Sequence, residues 1–146
     1  MKNSISFLKS FLVNDKILLE LSKLNFSETG TRRICLHENE NSNLHFMLIE
    51  VEVGKDYPPH KHLDGVEILL LIEGSLDFYI WKDGPKCPPE ILNLDSTNIE
   101  FSKIIFIPEN IFHTSKPKMR TKFIEIKPGP FVKNNLVIAD LNSIIF

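Results

Sequence analysis

The sequence predicts an all-β chain, a sandwich or closed barrel, with one helix ahead of it. Three observations carry this reading: a single stretch repeats apolar residues at the helical period, nearly everything after it alternates with period two, and the β-rich runs are short and punctuated by Gly, Pro, Asn and Asp. Short strands at that spacing, with no helical segments between them, describe a sandwich or barrel rather than strand–helix–strand units.

The helix comes first. Asn14 or Asp15 can cap it, Ile17, Leu18, Leu21 and Leu24 fall on one side, and Lys16, Glu20 and Lys23 fall on the other, which predicts a helix over 14–25 packed against the outside of the β structure. Strands are expected near 32–36, 44–53, 66–72, 76–82, 90–94, 104–107 and 122–127. Glu73-Gly74-Ser75 joins two of these runs tightly, and Asp83-Gly84-Pro85 opens a loop that Pro88 and Pro89 extend, so neighbouring strands should be mostly antiparallel. Eleven phenylalanines suit a barrel filled by large side chains. Phe7, Phe11, Phe26, Phe46 and the terminal Ile144-Ile145-Phe146 read as packing or interface residues.

A chain of 146 residues is expected to form one domain, 1–146, with its barrel over 32–131, and to bury a real core without a disulfide or structural metal. With 17 Lys+Arg against 19 Asp+Glu the formal charge is -2, so there is no basic excess to neutralise a run of phosphates, and nucleic-acid binding is not expected. The longest apolar runs, such as Val66 to Glu73, are broken by charge well short of a membrane span. The first residues lack a continuous apolar core followed by a small-residue cleavage site, and Cys35 and Cys87 lie in different elements with no CxxC spacing. The expectation is a cytoplasmic protein with two reduced thiols.

The chemistry is concentrated in one pattern: Gly54, five residues to His60, then His62, four residues to Glu67, and six to Gly74. A second piece follows at Ile107-Pro108-Glu109-Asn110-Ile111-Phe112-His113. At this chain's own residue frequencies the first piece arises by chance with a probability on the order of 10⁻⁵. Side chains at i and i+2 on a strand share a face, so His60 and His62 can point inward together while Lys61 points away. Glu67 follows a tight Asp64-Gly65 turn and can add an anionic oxygen, and His113 follows a Pro-anchored turn and closes the set. Three imidazoles and one carboxylate would leave a six-coordinate metal two open positions for substrate, whereas closed structural zinc sites are typically richer in Cys. Mixed N/O donors accept Fe, Mn or Zn, and also Ni, Co or Cu, so one divalent transition metal of unspecified identity is expected.

These residues resemble the cupin superfamily, whose motifs read GX5HXHX3-4EX6G and GX5PXGX2HX3N. The first is matched at every fixed position. In the second, Asn110 replaces a Gly, Ser102 stands for the leading Gly and Pro117 for the closing Asn. Asn tolerates the left-handed conformation unusually well, so the turn before His113 is expected to survive. Arg32-Arg33-Ile34-Cys35-Leu36-His37 upstream and Glu125-Ile126-Lys127-Pro128-Gly129-Pro130-Phe131 downstream extend the resemblance to the WbuC-type cupin metalloproteins, over about residues 14–131. The resemblance implies a jelly-roll barrel (double-stranded β-helix), a homodimer, and a place in bacterial surface-polysaccharide (O-antigen) synthesis. Two functions follow from it. One is an enzyme of isomerase, epimerase or oxygenase type acting on a carbohydrate or nucleotide-sugar intermediate, and the other is a non-catalytic metal-dependent binder of a small sugar-like or anionic ligand. A metal-independent isomerase of the same fold fits the intact four-residue set less well.

Strand alternation supplies the remaining candidates. Arg33, Cys35 and His37 share a face, as do Glu125 and Lys127. Glu125 and His37 are the candidate proton-transfer residues, and Arg33, Lys127 and Tyr57, the last just before the histidine strand, are the candidate substrate contacts.

Overall fold

The computed structural model describes residues 3–8 and 13–146, so Phe11 lies outside the described residues. Its elements are β1 (Ile5–Phe7), α1 (Asp15–Ser22), β2 (Thr31–Cys35), β3 (Leu44–Val51), β4 (His60–His62), β5 (Glu67–Glu73), β6 (Ser75–Trp81), β7 (Glu90–Asp95), β8 (Ile104–Ile107), β9 (Phe112–Pro117), β10 (Thr121–Pro128), a 3₁₀ turn at Lys133–Asn135, and β11 (Leu136–Ile138). They form a six-stranded sheet in the order β1-β2-β3-β10-β5-β8 and a five-stranded sheet in the order β11-β4-β9-β6-β7. Apart from the parallel β1–β2 pair, every strand pairing in these sheets is antiparallel. Two sheets of this connectivity make the expected jelly-roll sandwich.

Period-two alternation divides the apolar residues between two cores. The inward set is Met47 and Ile49 of β3, Leu69 and Leu71 of β5, Leu76, Phe78 and Ile80 of β6, Ile105 and Ile107 of β8, and Phe123 of β10, all at most 7% exposed. The outward set, Ile34, Leu48 and Ile124, is covered by Ile17 and Leu21 of α1, so the helix packs on the outer face of the six-stranded sheet. Asn14 caps that helix by accepting from the Ile17 N–H at 3.2 Å. The helix stops three residues short of the expected Asn25, because Lys23 and Leu24 donate to carbonyls three residues back, a tightening that ends the α ladder.

The terminal residues pack as their composition suggests. Trp81 donates through Nε1 to the Ile145 carbonyl at 2.7 Å, Phe146 stands edge-on to Trp81, and Ile144 is buried beside them. Phe26 lies under the Arg32 and Arg120 guanidiniums, Phe46 joins the helix-side core, and Phe7 is half exposed. Cys35 is buried and Cys87 half-buried, and both are free thiols. Among the described residues, no helix is long and apolar enough to cross a membrane. Strands β1, β4, β9 and β11 lie outside the expected list, although the shared face expected of His60 and His62 already treats β4 as a strand. Leu136-Val137-Ile138 was a detectable β-rich run, whereas β9, Phe-His-Thr-Ser-Lys-Pro, carries too much polarity to stand out.

Candidate metal centre and its cavity

The centre is assembled where the two sheets face each other. β4 supplies His60 and His62, and its pairing with β9 places His60 directly opposite His113, with ring centroids 4.4 Å apart. Glu67 comes from the other sheet: it opens β5 on the same inward face as Leu69 and Leu71 and is 5% exposed. Two turns hold these strands in place. Gly65, between His62 and Glu67, has φ +86°, a region open to glycine. Asn110 has φ 61°, so the Gly-to-Asn replacement keeps the left-handed turn, and its N–H donates to the His62 carbonyl at 2.7 Å. Gly74 closes the pattern at φ +100°, where a Cβ would fall 2.6 Å from Thr121 Oγ1 and 2.7 Å from the Arg120 carbonyl, so no larger residue fits.

One ligand-type atom from each of His60, His62, Glu67 and His113 lies within 4.8 Å of all the others. The tautomers are set by the backbone. His60 Nδ1 lies 3.1 Å from the Pro58 carbonyl and His113 Nδ1 lies 2.8 Å from the Ile111 carbonyl. A carbonyl only accepts, so each Nδ1 carries the proton and each Nε2 presents a lone pair. Burial, reinforced by the neighbouring His113, pushes the His60 pKa down to about 3, and burial also lowers that of His113. Both imidazoles are therefore neutral at neutral pH, the state a metal requires.

A metal fits these residues on one further observation. The Nε2 atoms of His62 and His113 are buried and have no hydrogen-bond partner. His62 Nε2 approaches Glu67 Oε2 to 2.8 Å without hydrogen-bond geometry, and His113 Nε2 lies 3.9 Å from the same oxygen. Buried polar atoms left unpaired are costly, and here they aim at a common point together with a carboxylate oxygen. A single divalent cation satisfies all of them, and the donor set does not specify which.

The cluster forms part of the wall of a cavity of about 300 Å³. Arg33 of β2, Glu125 and Lys127 of β10, and Tyr57 line it with the four metal-type residues. Lys127 Nζ and Glu125 Oε1 are 2.8 Å apart. Burial alone would raise the Glu125 pKa, but the adjacent Lys127 ammonium outweighs it and holds the carboxyl below its ordinary value. Burial would lower Lys127, and Glu125 more than reverses that. The pair is thus a true carboxylate and ammonium. Tyr57 stands edge-on to His60 at 4.8 Å, and its carbonyl accepts from Thr114 Oγ1 at 2.5 Å.

His37 does not join them. β2 ends at Cys35, and beyond that end strand alternation no longer dictates direction. The His37 ring stacks on His45 at 4.2 Å, and its Nδ1 accepts from the Phe46 N–H at 3.1 Å, away from the cavity lining. Sequence reasoning did not name several of the wall residues, Phe131 and Leu136 among them. Leu136 pairs with His62 in the β11–β4 ladder, a contact that only the tertiary fold reveals.

No protein-family model matches the chain, and no curated protein matches it in sequence. Solved structures do match its fold. KdgF from Halomonas sp. is 16% identical with a TM-score of 0.58, over 86% of this chain and 98% of that one. A cupin-2 domain containing protein from Shewanella frigidimarina is 20% identical with a TM-score of 0.56, over 81% and 95%. Oxalate decarboxylase from Bacillus subtilis is 18% identical with a TM-score of 0.56, over 74% of this chain and 27% of the longer enzyme. The chain therefore has the cupin jelly-roll fold, with a His/Glu cluster of metal-binding type in the wall of its cavity.

Proposed function

We propose that the protein is a metal-dependent small-molecule enzyme of the WbuC-type cupins, in which Glu125 moves a proton on a carbohydrate-derived intermediate of surface-polysaccharide synthesis. The observation that supports this most is the sharing of one cavity by the four-residue cluster and a half-buried, ionised carboxylate that is not part of the cluster. A divalent ion held by His60, His62, Glu67 and His113 would supply Lewis acidity toward a carbonyl or hydroxyl oxygen. Glu125, ionised at neutral pH, accepts a proton from the substrate, and the Lys127 ammonium at 2.8 Å orients it and balances its charge. Tyr57, at the wall beside His60, limits where the substrate can lie. At about 300 Å³ the cavity is at the small end of ligand pockets, which favours a sugar-sized reacting group. His37 takes no part in this reading.

The chain is further proposed to be cytoplasmic and to act as a homodimer. Ile104 and Phe106 of β8, an edge strand, are 60% and 58% exposed, an apolar surface suited to a second copy; light scattering reads the mass directly.

Deuterium exchange tests the catalytic assignment. Metal-loaded protein incubated in D₂O with a panel of aldoses, ketoses and sugar acids should exchange a carbon-bound hydrogen of at least one of them. Glu125→Gln should keep the metal and lose the exchange by about 10²–10⁴-fold, the worth of a positioned base. Exchange that persists in Glu125→Gln removes Glu125 from the role. Binding of a panel member without exchange supports the second reading, a non-catalytic binder, which the unpartnered Arg33 Nε favours.

A further inference from the structure

We infer that the ligand of this cavity is a compact acid, and that its anionic group sits on Arg33 beside the metal cluster. The inference rests on the reading above for the cavity's being a ligand site, and names the class of ligand it takes. Its basis is the pairing of charges within the cavity. Lys127 has Glu125 at 2.8 Å, and Glu67 belongs to the four-residue metal cluster. Both cavity carboxylates are thus engaged, while the buried Nε of Arg33 has no hydrogen-bond partner. Among these lining side chains, Arg33 and Lys127 balance Glu67 and Glu125 in number, so a divalent ion in the cluster leaves the cavity with two positive charges in excess.

A buried guanidinium nitrogen without a partner costs free energy unless an acceptor arrives, and the excess of positive charge makes an anion the fitting one. The guanidinium fork matches the paired oxygens of a carboxylate or phosphate. The cavity's size limits the rest of the molecule to a few carbons beyond that group.

Glycerate and glycerol share a skeleton and differ in the carboxylate, so calorimetric titration of each, and of inorganic phosphate, into wild type, Arg33→Gln and Arg33→Lys isolates the contribution of charge. The titrations are run on metal-free and metal-loaded protein, and each variant's metal content and thermal unfolding are recorded. Expected are binding of glycerate or phosphate by wild type, at least tenfold weaker binding of glycerol, and a loss of about 10- to 100-fold in Arg33→Gln, the loss a charge-assisted hydrogen bond implies. Arg33→Lys should restore part of it. Metal content and unfolding should stay at wild-type values. Preference for phosphate over glycerate identifies the oxyanion as phosphoryl within the same proposal. Equal affinity for glycerate and glycerol, undiminished oxyanion binding in Arg33→Gln, or no oxyanion binding at millimolar concentration overturns it. Arg33-dependent binding in a protein that takes up no metal would leave this inference standing while the metal-dependent function fails. Metal uptake with Arg33-independent binding would do the reverse.

Discussion

Arg32 and Arg33 are adjacent in sequence and point to opposite faces of the same strand, with opposite fates. Arg32 faces the helix. Its Nε donates to Glu50 Oε2 at 2.7 Å, its Nη1 donates to the Ser22 and Leu24 carbonyls at 2.8 and 2.9 Å, and Phe26 lies 4.3 Å from the guanidinium. Arg33 faces the cavity with its buried Nε unpartnered. The same residue type is a structural fastener on one face and an open binding group on the other. What separates them is whether the surrounding backbone and carboxylates already satisfy the donors.

The largest effects should come from breaking the satisfied side. Arg32→Met leaves Glu50, 1% exposed, without its nearest cation, and removing one partner of a buried pair costs about 3–5 kcal/mol. Urea unfolding should register that loss, and Arg32→Met combined with Glu50→Leu should recover most of it. Arg33→Met should cost far less, because its Nε serves no protein acceptor and its charge only assists Lys127 in holding Glu125 ionised. A loss in Arg33→Met comparable to that in Arg32→Met would erase the distinction.

A smaller effect sharpens the same contrast through pH. His60 is held neutral by burial, with its pKa depressed from 6.5 to about 3. The unfolded chain therefore binds a proton that the metal-free folded chain refuses between those values. The stability His60 contributes is complete above its unfolded value and falls as pH drops through the window, by up to about 1.4 kcal/mol per pH unit. Glu125, also depressed, acts in the same direction at lower pH. Thermal unfolding of metal-free protein should decline steadily from pH 6.5 toward 4, and His60→Gln should flatten the decline.

How much of this was legible follows from the same physics. Strand period groups His60 with His62 and Glu125 with Lys127 on shared faces, the fold turns those faces and that of Arg33 toward the cavity, and the left-handed tolerance of Asn anticipates the turn at Asn110, φ 61°. Alternation fails at His37 because the strand ends at Cys35, and a period has no authority beyond its element. Leu136 and Phe131 were invisible for a different reason: they reach the cavity through a return of the chain after β10, and no local pattern encodes that pairing. The two unpaired imidazole nitrogens and the unpaired Arg33 Nε are likewise tertiary facts, since a side chain's lack of a partner can be read only where all its neighbours are known.

The central claim is that His60, His62, Glu67 and His113 hold one divalent metal, and elemental analysis of gently purified protein tests it most directly. The account predicts about one transition-metal ion per chain, most of it lost in His62→Ala and all of it retained in Arg33→Gln and Glu125→Gln, whose side chains lie outside the ligand cluster. Wild-type protein that carries no metal and takes up none on incubation with Mn, Fe or Zn, or metal that persists in His62→Ala, would contradict it.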